Sequence, residues 1–535
     1  MNLSEWLIFI LIMLIIHGLS TWKLYLKAGR KPLESFIPIY NLVILMKIIN
    51  RPGWWVILLF IPIINLIMIP VIWVETIRSF GKNSRFDTLL VLVTFGFYIT
   101  YLNYNSGKLS YIANRDLASQ TKASDTVSSL LFAVIVATLV HTYIIQPFMI
   151  PSSSLEKTLL TGDYLFVSKI NFGARTPMTA VALPMVHDSI PLLGTKSYLF
   201  NDDVTKKETA VLNKFQLPYF RFPSIEKIKR NEIVVFNQPA DTLRDMDNFH
   251  PDRNYYKPID KKTNLVKRCV GIPGDSLEIR NGDIYINGKL SKMPESAKPQ
   301  FNFFVDTKGQ AIDQEILFNF YGAKEGMKYP GGDFALTSNG EYFLTLTEKE
   351  AAAIARNPVV KSVKKYLSPK GKDEGVFPHV ASLGWNVDNF GPIYIPKKGA
   401  TIQLDIKTLP FYKRIIQEYE KNDLDVKDQQ IIINGKVSTS YTFKQDYYWM
   451  MGDNRQNSLD ARFWGYVPFD HVIGKPVFIW FSWDKNAKGI KKVRWNRIFS
   501  VVNGNNEPKS YLIHFIVILF CYIVGKKIIA KKAKE

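Results

Sequence analysis

The sequence predicts transmembrane α-helices joined to a mainly antiparallel β domain on the extracytoplasmic side, with a large inserted subdomain. Three observations carry this. Five segments reach or approach the roughly 20 apolar residues that a membrane span needs: Leu3 to Leu19, Trp54 to Val74, Thr88 to Leu102, Val127 to Ile150 and Tyr511 to Val524. From Asn231 onward the chain changes to short β-branched and aromatic runs of strand character. These runs are punctuated by Asn287-Gly288 and Asn434-Gly435, the dipeptides that favour tight hairpin turns.

Taken in order, the first apolar run, Trp6 to Ile16, is followed by basic residues. A cleavable signal peptide starts with them, and no Ala-x-Ala site follows, so the run reads as a retained anchor. Phe36-Ile37-Pro38-Ile39-Tyr40-Asn41-Leu42 recurs as Phe60-Ile61-Pro62-Ile63-Ile64-Asn65-Leu66. Each proline interrupts a helix and each asparagine is polar within an apolar stretch, which predicts two packed, kinked helices. The Trp54-Trp55 pair suits an interfacial belt.

Lys108, Arg115 and Lys122 precede the fourth apolar segment, and a lysine-rich tail follows the fifth. Both of those ends read as cytoplasmic, so Pro151 to about Ser510 falls on the opposite side. Three crossings before residue 122 would put Arg78, Lys82 and Arg85 outside, against the same rule. One of the first three segments therefore reads equally as a re-entrant or interfacial helix.

In the β region, Ile233-Val234-Val235-Phe236, Leu277-Glu278-Ile279, Asp283-Ile284-Tyr285-Ile286 and Val477-Phe478-Ile479-Trp480 read as strands. The stretch Asp283 to Lys289 is echoed by Gln430 to Lys436, both ending Asn-Gly-Lys. Helical spacing covers Glu348 to Ala355 and Phe411 to Tyr419. Segments 174 to 228 and 292 to 440 read as insertions.

The 535 residues carry a net charge of +21, from 68 basic and 47 acidic side chains. With so much apolar span, the excess points to anionic lipid and topology rather than nucleic acid. Cys269 and Cys521 should sit in different media and form no disulfide. The seven histidines form no HExxH pair, no metal-ligand cluster is present, and there is no P-loop. No metal and no organic cofactor is expected.

A serine stands just beyond the fourth span, in Phe148-Met149-Ile150-Pro151-Ser152-Ser153-Ser154-Leu155. A serine hydroxyl needs a base to become a nucleophile. A lysine can serve only when neutral, so its pKa of about 10.4 must fall by several units, which burial can achieve. Lys267 has the neighbours for it: Leu265, Val266, Cys269 and Val270.

These residues sit in four blocks that resemble, in the same order, those of bacterial type I signal peptidases (leader peptidases), Ser-Lys serine proteases. The blocks are Phe148 to Asp163, Asn231 to Phe236, Lys267-Arg268-Cys269-Val270-Gly271-Ile272-Pro273-Gly274-Asp275, and Met451-Gly452-Asp453-Asn454-Arg455-Gln456-Asn457-Ser458-Leu459-Asp460-Ala461-Arg462-Phe463-Trp464-Gly465. The similarity covers 126 to 173, 228 to 290 and 440 to 500. An extra membrane module precedes it.

The resemblance implies Ser154 as nucleophile and Lys267 as general base, with the backbone N–H of Ser154 and the hydroxyl of Ser152 forming the oxyanion hole. It implies that Ser458 hydrogen-bonds the lysine, that Asp460 pairs with Arg462 and that Asp453 pairs with Arg268, all as supporting residues. Phe148, Ile150, Leu155, Leu159 and Val266 match the walls of shallow pockets that accept small residues, as in Ala-x-Ala sites. Leu155 stands where methionine is usual, Glu156-Lys157 where an apolar residue and proline are, Gln456 for an aspartate and Ala461 for a serine.

The expected organisation is then a membrane module over 1 to 122, an anchor over 123 to 150, a peptidase domain over 151 to 510 with the two insertions, and a C-terminal helix with a basic cytoplasmic tail over 511 to 535. The expected partners are preproteins with signal peptides, the lipid bilayer and the secretion machinery. The expected location is the bacterial inner membrane, multi-pass, with the catalytic domain periplasmic. Two alternatives stay open: an inactive peptidase-like scaffold or transport component, and a specialised processing peptidase. The aromatic run Trp480-Phe481-Ser482-Trp483, with Trp495, reads as core or as a surface dipping into the outer leaflet.

Overall fold

The structure, a computed structural model, describes residues 3–105, 107, 109–117, 121–206, 209–239, 257–312, 334–337, 339–372, 375–502 and 509–532. Two compact units emerge. One is Met1–Ile144 with Arg175–Arg221 and Tyr255–Lys262; the other is Ile145–Ala174 with Phe222–Asn254 and Thr263–Glu535. The charge expected at Lys108 and the last residues of the lysine tail, 533–535, lie outside the described residues.

The first unit holds seven helices among its described residues up to Leu139: α1 (Leu3–Lys27), α2 (Tyr40–Ile48), α3 (Trp55–Leu58), α4 (Ile64–Ser79), α5 (Arg85–Val93), α6 (Phe97–Tyr104) and α7 (Lys122–Leu139). Two stretches here are long and apolar enough to cross a membrane, Ser4–Lys27 and Lys122–Ile144. Both expose large apolar side chains such as Leu7, Leu11, Leu130 and Phe132, as lipid-facing helices do.

Three expected segments differ in shape. The Trp54 to Val74 run is not one helix: α3 ends at Leu58 and α4 begins at Ile64, with Pro70 inside it. The echoed prolines do not kink helix interiors either. Pro38 and Pro62 lie in turns just ahead of α2 and α4, and Ile39 and Ile63, which precede those helices, share a left-handed backbone, φ 64° and 70°. The Thr88 to Leu102 run is a helix pair bent by 116°, turning at Phe95 and Gly96, both at positive φ. The Val127 to Ile150 run leaves helix after a π turn at Val140–Ile144 and continues as a strand. Pro147 explains this, since proline and the residue before it disfavour helix.

The C-terminal ends of α1, α2, α4 and α6 meet. The backbone N–H groups of Lys23 and Leu24 donate to Asn103 Oδ1 at 2.9 and 3.1 Å. Lys27 Nζ donates to the Leu109 carbonyl at 2.6 Å. Tyr111 Oη donates to the Ile48 carbonyl at 3.1 Å, and Ile112 N–H to the Ser79 carbonyl at 2.9 Å. Basic residues therefore collect at one end of the bundle. The segment Arg175–Arg221, expected as an insertion in the β domain, packs within this unit: Ala182, Tyr198 and Phe200 form an apolar cluster with Ile63, and Phe215 meets Phe9.

The second unit is built on an antiparallel sheet. Its strands are β1 (Ile145–Met149), β2 (Asp163–Ser168), β3 (Ile233–Asn237), β4 (Asn264–Gly271), β5 (Tyr447–Met451), β6 (Val467–Pro468), β7 (Val472–Ser482) and β8 (Ser500–Val501). Their order is β1-β2-β7-β3-β4-β5-β6, with β8 beside β7. Every predicted strand is present. Against the sheet pack two three-stranded meanders, Ser276 to Leu290 and Leu424 to Val437. They match in detail. Asn287 Oδ1 accepts from Ser276 N–H and Asn434 Oδ1 from Asp423 N–H. Both Asn-Gly turns have positive φ at each residue, the geometry expected of the dipeptide. Leu277, Ile284 and Ile286 share one apolar core with Leu424, Ile431 and Ile433.

Within 292 to 440, one stretch folds on its own sheet and another joins the main core. Strands Gln300–Asp306, Phe334–Leu336, Tyr342–Thr347 and Ser362–Lys365 form a separate sheet with their own core, including Phe301, Val305, Leu344 and Ile354. The helix Glu348–Ile354 on it is started by a Thr347/Glu350 capping box. Residues from Val376 onward, including the predicted helix at Phe411 to Tyr419, join the main core because Phe377, Tyr412 and Ile416 pack there. Residues 313–333 of the expected insertion lie outside the described residues. The C-terminal helix Leu512–Lys532 is apolar over Leu512–Ile529, long enough to cross a membrane. Its Phe515 ring meets Phe499, which stacks on Phe478.

Candidate active site

Ser154 lies in the turn that joins β1 to β2. The turn closes on itself: Ile150 N–H donates to the Asp163 carbonyl, and Gly162 N–H to the Ile150 carbonyl, both at 2.9 Å. Gly162 has φ +88°, and a Cβ there would stand 1.9 Å from the Trp483 carbonyl oxygen. Asp163, at the base of the turn, is fully buried and accepts from Ser482 Oγ and Arg497. The nucleophile candidate is thus carried on a braced loop rather than a free one.

Lys267 sits in mid-β4. Its Nζ donates to Ser154 Oγ at 2.6 Å. Both residues are buried, at 4% and 5% exposure. Burial pushes the lysine down to about 8, and the nearby charge of Asp460 only partly offsets that. An ammonium in a dry site is destabilised relative to the amine, which is the condition for a lysine base near neutral pH.

Arg268, the next residue, is held by Asp453. Its Nε and NH2 donate to the two carboxylate oxygens at 2.7 and 2.6 Å, and Thr158 Oγ1 adds a third bond at 2.7 Å. Burial works to raise Asp453, but Arg268 holds it below the usual carboxylate range. Asp460 is likewise lowered against burial by Arg462, whose Nε donates at 2.8 Å; Gly452 N–H donates at 3.1 Å. The loop from Gly452 closes directly on the nucleophile. Asn454 N–H donates to the Ser154 carbonyl at 3.0 Å, and a Cβ on Gly452 would lie 2.5 Å from that same oxygen.

One expected contact is absent. Among the described residues no hydrogen bond joins Ser458 to Lys267. The Ser458 hydroxyl instead faces Asp460 and helps hold that carboxylate below its usual range. Ser152 is exposed. Of the five expected pocket residues, Ile150, Leu155 and Leu159 are buried in one apolar cluster, with Phe148 and Val266 packed against it. Leu159 also borders a groove of about 580 Å³ lined by Thr158, Asn231, Glu232, Lys292 and Val502 among others. Neither Ser154 nor Lys267 lines that groove, so the Ser154–Lys267 contact rather than the groove marks the chemistry.

Several residues of the site carried no assigned role in the sequence. Gln300 of the inserted sheet donates from Nε2 to the Glu156 carbonyl and from its N–H to the Asp453 carbonyl, each at 2.8 Å. Lys157, at φ +66°, pairs with Glu350. A proline, usual at that position, could not adopt this φ. Arg455 is buried, bonded to the Gly452 carbonyl at 3.1 Å, and burial and Arg462 push it down to about 10. Cys269 is a buried free thiol, raised by burial, and Cys521 is free as well. The half-buried rings of Tyr164, Phe166, Trp480 and Phe481 form one cluster, while Trp495 is exposed.

With this geometry in view, comparison with known proteins gives a consistent result. Residues 123–345 and 395–483 match the family described as signal peptidase, peptidase S26. Residues 33–113 match a family of unknown function, DUF5684. Signal peptidase I of Buchnera aphidicola subsp. Acyrthosiphon pisum is 24% identical over 366 residues, covering 68% of this chain and 77% of the relative. Signal peptidase I of Helicobacter pylori is 23% identical over 388 residues, covering 70% and 92%. Signal peptidase I of Rickettsia typhi is 23% identical over 414 residues, covering 74% and 100%.

Proposed function

Because the chain belongs to the signal peptidase family, peptidase S26, and is a membrane-anchored serine endopeptidase that removes signal peptides from preproteins, we propose that Ser154 and Lys267 are its nucleophile and general base. The observation that carries this is the buried 2.6 Å contact between Lys267 Nζ and Ser154 Oγ.

In the proposed reaction, neutral Lys267 takes the hydroxyl proton as Ser154 Oγ attacks the scissile carbonyl. The oxyanion is received by the Ser154 N–H and the Ser152 hydroxyl, donors placed where charge develops. Lys267 returns the proton to the leaving amine, and the mature chain departs. A water, deprotonated by the same lysine, then cleaves the acyl-enzyme and frees the signal peptide, and the lysine returns that proton to Ser154 Oγ. Arg268, Asp453, Asp460, Arg462 and Ser458 keep the two loops and β4 in register without touching substrate. Phe148, Ile150, Leu155, Leu159 and Val266 leave room for small side chains only, which supports cutting after Ala-x-Ala type sites.

The shared basic end of α1, α2, α4 and α6 supports placing that end in the cytoplasm. In this arrangement α5 and α6 enter and return on one side, which removes the charge conflict at Arg78, Lys82 and Arg85. The fourth apolar segment then leads outward to a periplasmic catalytic unit, and Leu512–Lys532 leads back. The lipid bilayer and the secretion machinery are the proposed partners, and the bacterial inner membrane the proposed location.

The test is cleavage of a purified preprotein bearing an Ala-x-Ala site, in detergent, with the product's new N-terminus sequenced. Cleavage after the small residue that is lost in both Ser154→Ala and Lys267→Ala is expected. Full activity in either variant would sink the dyad assignment.

A further inference from the structure

Glu75, near the C-terminal end of α4, is buried at 6% exposure, and three guanidinium groups converge on it. Arg51 donates from Nε to Oε2 at 2.9 Å. Arg115 donates to the same oxygen. Arg78 stands 3.9 Å from Oε1. The three arginine side chains are only 23%, 13% and 33% exposed. One carboxylate neutralises one guanidinium, so the cluster holds an excess of positive charge. Counting the exposed carboxylate of Asp116, next to Arg115 in the chain, does not balance it. In addition, Arg115 Nε is buried with no hydrogen-bond partner among the described residues.

Partly desolvated like charges repel strongly, and a buried donor without an acceptor is costly. Both defects are relieved by the same thing: an anion with several acceptor oxygens. Arginine forks match phosphate geometry in particular. The surroundings favour a lipid as its source. Arg51 lies over the Trp55 ring at 5.2 Å, and Trp54 beside it is 58% exposed, the arrangement of an interfacial anchor. The cluster also lies where the helix ends carrying Lys27 and Arg78 come together, a concentration of basic groups at the ends of apolar helices.

We propose that Arg51, Arg78 and Arg115 form a site for the phosphate of an anionic phospholipid headgroup. Glu75 orients the forks and leaves their remaining donors for the ligand. This assigns a binding role to the membrane module that is independent of the peptidase reaction.

The test uses the full chain purified in neutral detergent, followed by thermal unfolding and native mass spectrometry. Phosphatidylglycerol, phosphatidylcholine and inorganic phosphate are added separately. Phosphatidylglycerol should raise the midpoint and remain bound, whereas phosphatidylcholine and inorganic phosphate should not. Arg78→Gln, which leaves both close contacts to Glu75 intact, should weaken the lipid effect about tenfold, and Arg51→Gln/Arg78→Gln should abolish it. An equal shift with inorganic phosphate would assign the site to a soluble anion and overturn the lipid reading. Lipid binding unchanged in Arg78→Gln, a variant that should remain folded, would overturn the site itself.

Discussion

In the proposed reaction Lys267 must be without its proton before it can take one from Ser154, and this makes the pH dependence of cleavage calculable. Burial holds the ammonium at about 8 rather than the ordinary 10.5. The neutral fraction is then about a tenth at pH 7 and about nine-tenths at pH 9. An unshifted lysine would be neutral in only about one molecule in three thousand at pH 7. Burial therefore raises the working form about three-hundredfold at neutrality. The value of kcat/KM for a preprotein should rise roughly tenfold from pH 7 to 9, with a midpoint near 8.

The same shift has a consequence for stability. The folded pKa lies below the unfolded one, so between pH 8 and 10.5 the unfolded chain holds more protons and stability increases with pH. Below that window the charged lysine costs the fold about 3 kcal/mol. Lys267→Met, of similar length and without charge, should abolish cleavage yet raise the unfolding midpoint at pH 7, and this gain should shrink above pH 10. Cleavage by purified protein across pH 6 to 10, with parallel thermal unfolding, reads both. A flat rate profile, or a midpoint near 10.5, would refute the base assignment. A methionine variant less stable than wild type at pH 7 would refute the claim that the site is strained by its charge.

Breaking the buried Arg268–Asp453 pair by Asp453→Asn should cost about 3 to 5 kcal/mol in denaturant unfolding, because an unpaired guanidinium remains; an effect within error would show that the pair is solvated. Gly162→Ala should prevent folding or lower the unfolding midpoint steeply, since its Cβ would meet the Trp483 carbonyl at 1.9 Å. Lys157→Ala and Glu350→Gln should each lower kcat about threefold to tenfold with little change in KM, if their pair is worth about 1 kcal/mol to the nucleophile turn. The swapped pair, Lys157→Glu with Glu350→Lys, should recover part of that loss. Unchanged kcat in both single variants would limit the inserted sheet to a peripheral role.

Much of this architecture was legible because local signals agreed with the fold. The two Asn-Gly turns, the β-branched runs and the helix at Glu348 each contain their own instructions within a few residues. The flanking blocks drew attention to Ser154 and Lys267, and the fold brings these two side chains into contact. Some misreadings came from local turns inside an apolar run, others from partners far away in the chain. Hydropathy alone could not show that Phe95-Gly96 turns the third apolar run back on itself, or that Pro147 redirects the fourth into a strand. The Ser458 hydroxyl was expected on the lysine but faces Asp460. Gln300 and Glu350 gave no sequence signal because the backbone and lysine they hold lie far away in the chain; only the unusual Glu156-Lys157 hinted that the turn had found a different support.

The paired meanders, Ser276 to Leu290 and Leu424 to Val437, raise a problem of self-recognition during folding. They present matching apolar faces to one core and close with the same asparagine bonds. Either could occupy the other's place early on, before the rest of the chain has been ordered. What tells them apart is the strand Phe390–Tyr394, which pairs with Ser276–Arg280 alone, and substitutions such as Ile279 against Val426, Gly282 against Gln429 and Tyr285 against Ile432. Chains that dock the wrong meander must undock it before the core can close, the kind of trap that slows large β proteins and exposes them to aggregation. Replacing Ile432 with tyrosine would erase one of those differences, and refolding should then slow while the native state keeps its stability.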